Sequence, residues 1–209
     1  MLTIHGLHKA YDDRTILQID ALTLPNGVHW VQGENGAGKT TLFRCLAGVL
    51  PCEGMVELDK QFQPKKQARE YRLRVNLGEA EPLYPEFLTG TDLLLAVAEA
   101  KQAPNGQLES LCESLGVGNY RHNRVGTYSS GMLKKLSLVM ALLGQPRWVL
   151  LDEPLITLDP DAQAALLQLL AQGHQAGVNY LLSSHQAWST QLLPTDSIYQ
   201  LAHQTLHKA

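Results

Sequence analysis

Gly33-Glu34-Asn35-Gly36-Ala37-Gly38-Lys39-Thr40 decides the fold of this chain. The stretch fits the pattern Gly, four residues, Gly-Lys and Ser or Thr of a phosphate-binding loop. Glycines at 33, 36 and 38 admit backbone conformations that a Cβ forbids, so the N–H groups of Asn35, Ala37 and their neighbours turn inward as an anion nest. Lys39 supplies positive charge to the β and γ phosphates, and Thr40 offers a hydroxyl to Mg²⁺, a hard cation that takes oxygen ligands. Val28-His29-Trp30-Val31 ahead of the loop reads as a short apolar strand, and Thr41 to Ala47 behind it as a helix closed by Gly48. The loop therefore stands at a helix N-terminus, where unpaired amides and the dipole favour anions. A nucleoside triphosphate with Mg²⁺ is the expected ligand.

Working outward, Leu2-Thr3-Ile4 and Leu17 to Leu22 alternate apolar and polar residues around the turn-like Tyr11-Asp12-Asp13, the pattern of antiparallel strands with one wet face. Tyr11 is placed either to stack on an adenine or to sit half-buried in that sheet. Gly54 to Leu58 reads as a further strand, and Arg74 to Gly78 as a strand end. Lys65, Lys66, Arg69, Arg72 and Arg74 form a basic stretch with few aromatics, which fits a solvated surface better than a nucleic-acid patch. From Glu79 the composition changes. Pro82 and Pro85 bracket a loop, and Thr91 to Ala100 and Gln107 to Leu115 have helical spacing punctuated by Gly90 and Asn105-Gly106. Residues 79–144 are expected to be a mostly helical insertion in an α/β core formed by 1–78 and 145–209, all within one domain.

Trp148-Val149-Leu150-Leu151 is an unbroken apolar run ending in Asp152-Glu153. Such a run fits a parallel strand buried on both faces, and its acids then fall at the carboxyl edge where open α/β sheets hold ligands. Asp152 suits the Mg²⁺ shell and Glu153 suits proton acceptance from an attacking water. Asp161 to Ala176 reads as an amphipathic helix, Val178 to Leu182 as the next buried strand, ending at Ser183-Ser184-His185 on the same edge, and Ser197 to Leu201 as the last strand.

The bulk properties are those of an ordinary globular chain: 209 residues, 44% hydrophobic, 18% charged, net charge −3. That charge makes no overall field for nucleic acid or anionic lipid. Three cysteines without a C-x-x-C pair fit reduced, buried thiols. The first residues lack the apolar core of a signal peptide, and no apolar run approaches the ~20 residues of a membrane span. The pairs His5/His8 and His203/His207 lack further ligands nearby, so no metal site is expected beyond nucleotide-bound Mg²⁺.

With the phosphate loop, Asp152-Glu153-Pro154, Leu158-Asp159-Pro160 and His185 in this order, the sequence resembles the ATP-binding subunits of ABC transporters. Tyr128-Ser129-Ser130-Gly131-Met132 resembles a variant of that family's Leu-Ser-Gly-Gly-Gln signature. The resemblance runs from Tyr11 to His185. It implies an α/β P-loop ATPase with a mostly parallel core sheet, an N-terminal antiparallel part and an inserted helical subdomain. It also implies that Tyr11 stacks on adenine, Gly33 through Thr41 cradle phosphate, Asp152 joins the Mg²⁺ shell and Glu153 is the catalytic base. Asp159 belongs to a loop that communicates across a dimer, and His185 is a switch contacting the γ-phosphate. Two subunits close head to tail in this family, which puts Ser129 and Gly131 of one subunit over the ATP of the other.

Two departures stand out. Ser130 and Met132 replace a Gly and a Gln of the signature while Ser129 and Gly131 remain. Aligned on Leu83-Tyr84-Pro85, Glu79 occupies the place of the family's glutamine that meets Mg²⁺ and water, with Glu81 as the neighbouring candidate. A carboxylate there adds negative charge beside phosphate. The resemblance thus implies an ATPase subunit, of exporter type, that powers a separate membrane permease from the cytoplasmic face and works as a dimer, most simply a homodimer. Its permease would dock at residues 79–88 and the helices that follow. The alternative is a soluble ABC-type ATPase acting on nucleic acid or ribosomes. A nucleotide-binding regulator without turnover is disfavoured, since Lys39, Asp152, Glu153 and His185 are all present.

Overall fold

The structure, a computed structural model, describes residues 1–184 and 192–209. Strand β1 (Leu2–Tyr11) pairs antiparallel with β2 (Arg14–Leu24) on one side and, after β3, with β4 (Glu53–Leu58) on the other. The alternation read in the sequence holds: Leu2, Ile4, Leu7, Leu17, Ile19 and Leu24 are buried while His5 and Gln18 face outward. Asp12 takes a left-handed φ of 49° in the tight turn that sets Tyr11 opposite Arg14.

The second sheet has six strands. Strand β3 (Val28–Gln32), which delivers the glycine loop, lies between β7 (Asn179–Ser183) and β8 (Ser197–Ala202); β6 (Trp148–Leu151) follows β7, and β5 (Val75–Gly78) forms the edge. These five run parallel. Side chains of β6 divide between two cores as a strand covered on both faces requires: Trp148 and Leu150 enter one cluster, Val149 and Leu151 the other. The first cluster joins the antiparallel sheet to helix α1 (Lys39–Leu46), with Phe43 and Leu46 fully buried. The second packs α3 (Gly90–Ala100), α4 (Gln107–Ser114), α5 (Ser130–Leu142) and α6 (Pro160–Gln175) against the opposite face. Each fully buried Leu or Val contributes about 1.5–3 kcal/mol, so the sheet is the rigid frame for whatever its edge carries.

The structure differs from the sequence reading in two elements. Ser197 to Leu201 is not the last strand: β9 (Thr205–Lys208) pairs antiparallel with β8. The two-residue turn His203-Gln204 has φ of 49° and 68°, a geometry usually signalled by Asn-Gly, which this sequence lacks. The basic stretch is partly helical, α2 (Ala68–Arg74), and its cations turn back on the chain. Arg72 donates to the Gly48 carbonyl at 3.0 Å, Arg74 to the Glu70 carbonyl at 2.7 Å, and the Arg74 guanidinium lies 3.9 Å over the Phe62 ring. No described helix is long and apolar enough to cross a membrane.

Candidate functional site

The carboxyl edge of β3, β6 and β7 gathers the loop, the acids and a serine into one place. Gly36 and Gly38 take φ of 79° and 102°, open to glycine and strained for other residues. A Cβ on Gly33 would stand 2.7 Å from the Leu201 carbonyl oxygen, so the loop's first glycine is required by β8 packed against it. Gly38 caps α1 without any side-chain hydrogen bond, leaving the first amides of the helix for a ligand. Lys39 is 6% exposed, and its Nζ donates to the loop's own Gly33 and Glu34 carbonyls at 2.7 and 3.1 Å. That ties the ammonium back to the backbone of the loop.

Asp152, at the end of β6, is held from both sides. Thr40 Oγ1 donates to its Oδ2 at 2.5 Å and Ser183 Oγ to its Oδ1 at 2.5 Å. The same Ser183 hydroxyl accepts the Glu153 N–H at 2.9 Å. Glu153 is buried and its φ is 46°, a left-handed backbone uncommon for a glutamate and of a kind that concentrates at functional sites. A cavity of about 680 Å³ opens onto these groups; Asn35, Gly36, Gly38, Lys39, Thr40, Thr41, Asp152 and Glu153 line it, together with Glu79, Glu81, Arg14 and Ile16. Volume and lining suit a small anionic ligand. A larger cavity, about 1130 Å³, lies between α2, β5 and α3, and Glu79 borders it too. It lacks the glycine loop and the acids of β6, so the chemistry belongs to the smaller one. The residues fit MgATP: a left-handed glycine cradle for phosphates, one lysine, and a hydroxyl and carboxylate 2.5 Å apart as hard-oxygen donors.

Ser129, Gly131 and Asp159 do not line that cavity. They cluster at the start of α5 and α6. Ser129 caps α5, its hydroxyl accepting the Met132 N–H at 3.3 Å, and a Cβ on Gly131 would lie 2.8 Å from the Thr157 carbonyl oxygen. Asp159 caps α6 through the Ala162 N–H at 2.9 Å and pairs with Lys135 of α5 at 2.6 Å; that ammonium, before the backbone N–H, holds its carboxyl below the usual range. The ring of Tyr128 packs edge-on against Tyr120, centroids 4.9 Å apart. Tyr11 also stands apart from the cavity lining, 46% exposed at the β1–β2 turn, with the Lys9 ammonium 4.9 Å over one face of its ring. His185 lies outside the described residues. The paired histidines fall in strands and turns, and the described residues contain no group of three or more His, Cys, Asp or Glu able to hold a metal.

Three residues not singled out from the sequence join the site. Ser183 fixes Asp152. Lys134 of α5 is 1% exposed, and its Nζ donates to the carbonyls of Glu79 at 2.7 Å, Asp152 at 2.9 Å and Ala80 at 3.3 Å. Burial lowers its pKa to about 8, against the pull of Asp152, Glu153 and Glu79. The signal was present: Lys134, Leu138 and Ala141 share one helical face, and a lysine on an otherwise apolar buried face demands carbonyl partners. Arg44 of α1 donates from Nε to Glu79 Oε1 at 2.7 Å.

Comparison with known proteins places these features. The sequence model of the ABC transporter family matches residues 18–156. The ABC transporter ATP-binding protein NatA of Bacillus subtilis is 30% identical over 212 residues, covering 96% of this chain and 85% of that protein. The lantibiotic transport ATP-binding protein SrtF of Streptococcus pyogenes is 29% identical over 187 residues, covering 88% of this chain and 80% of its own length. ATP-binding cassette sub-family A member 7 of Mus musculus is 30% identical over 203 residues, 93% of this chain but only 9% of that much longer protein. Among solved structures, an ATP-binding subunit of an ABC transporter superposes with a TM-score of 0.88 at 24% identity, covering 100% of this chain and 89% of that one. A dimeric ATP-binding cassette in a post-hydrolysis state with ADP and Pi gives a TM-score of 0.78 at 18% identity, covering 100% and 98%. The chain belongs to the ABC transporter family, as an ATP-binding domain of the α/β P-loop type that hydrolyses ATP.

Proposed function

We propose that this chain powers a separate membrane permease by closing on ATP as a head-to-tail dimer and reopening after hydrolysis. The observation that carries the ATPase half of this reading is the Thr40–Asp152–Ser183 chain of hydrogen bonds facing the glycine cradle. Bound MgATP supplies the phosphoanhydride and the cation that offsets charge as that bond breaks. The loop amides and Lys39 orient the phosphates, Thr40 and Asp152 hold Mg²⁺, and Glu153 takes the proton of the attacking water. Tyr11 offers the free face of its ring to the adenine. Ser129 and the amides at Gly131 cap the nucleotide of the partner subunit, and Asp159 lies at the same boundary. A second copy of this chain is the simplest partner.

The transport half is supported by the loop that follows Glu79. Leu83 is 90% exposed and Phe87 73% exposed, on either side of Tyr84-Pro85. Covering two such side chains is worth roughly 1.5–3 kcal/mol each, a sensible share of a docking interface. A cytoplasmic segment of a permease is the occupant, which places the subunit at the inner face of the membrane, and export is the direction we favour. Residues 79–144 form the subdomain that carries this surface. The test is to tag the Glu153→Gln chain in its native cell, solubilise membranes gently with ATP present, and identify what is retained. A polytopic membrane protein in stoichiometric amount, lost on Leu83→Ser with Phe87→Ser, is the expected result. Recovery of ribosomes or nucleic acid without a membrane protein overturns the transport role.

A further inference from the structure

The Glu79 carboxylate does not enter the nucleotide cavity uncompensated. Arg44 Nε donates to its Oε1 at 2.7 Å, and this pair raises the pKa of the guanidinium above its ordinary value. The two side chains are 40% and 27% exposed, and ion pairs at such sites add little to stability. Their position matters more. Thr40 and Arg44 are four residues apart on α1 and share one helical face. One turn of that face therefore carries two links: Thr40 to Asp152 just beyond β6, and Arg44 to Glu79 just beyond β5. From the other side, Lys134 fixes the backbone of the same residue through the Glu79 carbonyl at 2.7 Å. Both Arg44 and Glu79 line the cavity that holds Lys39, Asp152 and Glu153.

We propose that Arg44 is a positioning residue that makes a glutamate workable at the mouth of this nucleotide site, holding the Glu79 carboxylate in place and cancelling its charge against the phosphates. This rests on reading the cavity as the nucleotide site. Without Arg44, the uncompensated Glu79 carboxylate adds to those of Asp152, Glu153 and Glu81 on the cavity wall and repels a polyanion. Without Glu79, the Arg44 guanidinium is released toward the phosphates. The two substitutions must therefore be coupled, and Glu79→Gln must rescue the loss of Arg44.

The test is a double-mutant cycle on the full chain, read as the dissociation constant of ATP in EDTA, where no Mg²⁺ shields the phosphates, alongside KM and kcat for MgATP. Arg44→Met weakens metal-free ATP by about tenfold and raises KM more than it lowers kcat, whereas Arg44→Lys stays within about threefold of the parent. Adding Glu79→Gln to Arg44→Met restores binding to within about threefold of the parent. Glu79→Gln alone tightens metal-free ATP by about threefold or more, a readout that does not require Arg44→Met to fold. Equal losses from Arg44→Met in the two Glu79 backgrounds, or unchanged or weaker ATP binding in Glu79→Gln, overturn the proposal. Lys39→Ala separates the two claims: if it leaves ATP binding intact, the reading of the cavity itself has failed.

Discussion

Ser183 at the end of β7 donates to Asp152 Oδ1 at 2.5 Å and with the same oxygen accepts the Glu153 N–H at 2.9 Å. One hydroxyl thus fixes the Asp152 carboxylate and the Glu153 backbone just beyond β6. Ser183→Ala removes the donor from one and the acceptor from the other in a buried place, a loss of about 1–3 kcal/mol in unmet hydrogen bonding. We expect kcat for ATP to fall about tenfold or more, while nucleotide affinity, set mainly by the glycine loop and Lys39, changes by less than about threefold. Steady-state kinetics beside equilibrium binding decide it. A loss confined to binding would remove Ser183 from this role.

Lys134 predicts a pH signature. Its pKa in the fold, about 8, lies below the ordinary lysine value because burial penalises the charge. Between pH 8 and about 10.4 the unfolded chain therefore binds more protons at this group than the folded chain, so its contribution to stability rises with pH across that window. The stability of the parent relative to Lys134→Met should increase by on the order of 1–2 kcal/mol from pH 7.5 to 10, measured by urea unfolding. A gap that is flat or shrinks with pH would place a charged lysine comfortably in the core, against the burial seen here.

Gly131 is required by contact. Its substitution by alanine puts a Cβ 2.8 Å from the carbonyl oxygen of Thr157, itself held at a φ of 63°, so the start of α5 must shift away from the loop before α6. That start is where the partner's nucleotide is proposed to be capped. Gly131→Ala should cut ATP turnover by about tenfold or more yet leave ATP binding to the isolated subunit within about twofold. Parallel loss of both would mean that the substitution damages the fold as a whole.

Much of the fold was legible because its signals are local. Gly33 to Thr40 needs only its own spacing, and Trp148 to Glu153 needs only an apolar run that ends in acids; both lie where the sequence put them. What escaped depends on residues far apart in the chain. Arg44 and Glu79 meet because α1 and the end of β5 flank one edge of the sheet, and no periodicity relates positions 35 residues apart. β9 escaped because His203-Gln204 makes a left-handed turn without the residues that usually announce one. α2 escaped because its charges hide a short helix whose one buried residue is Tyr71, hydrogen-bonded to the Leu46 carbonyl at 2.5 Å. Lys134 was readable only by asking which polar group sat on a buried face.

The central claim is that the edge of β3, β6 and β7 hydrolyses ATP with Glu153 as the base. The most direct test is phosphate release by the parent and by Glu153→Gln, beside ATP-dependent dimerisation of each on a sizing column. The account predicts that Glu153→Gln lowers turnover by about a hundredfold or more, binds ATP as well as the parent, and accumulates as an ATP-held dimer. Turnover undiminished in Glu153→Gln would contradict it.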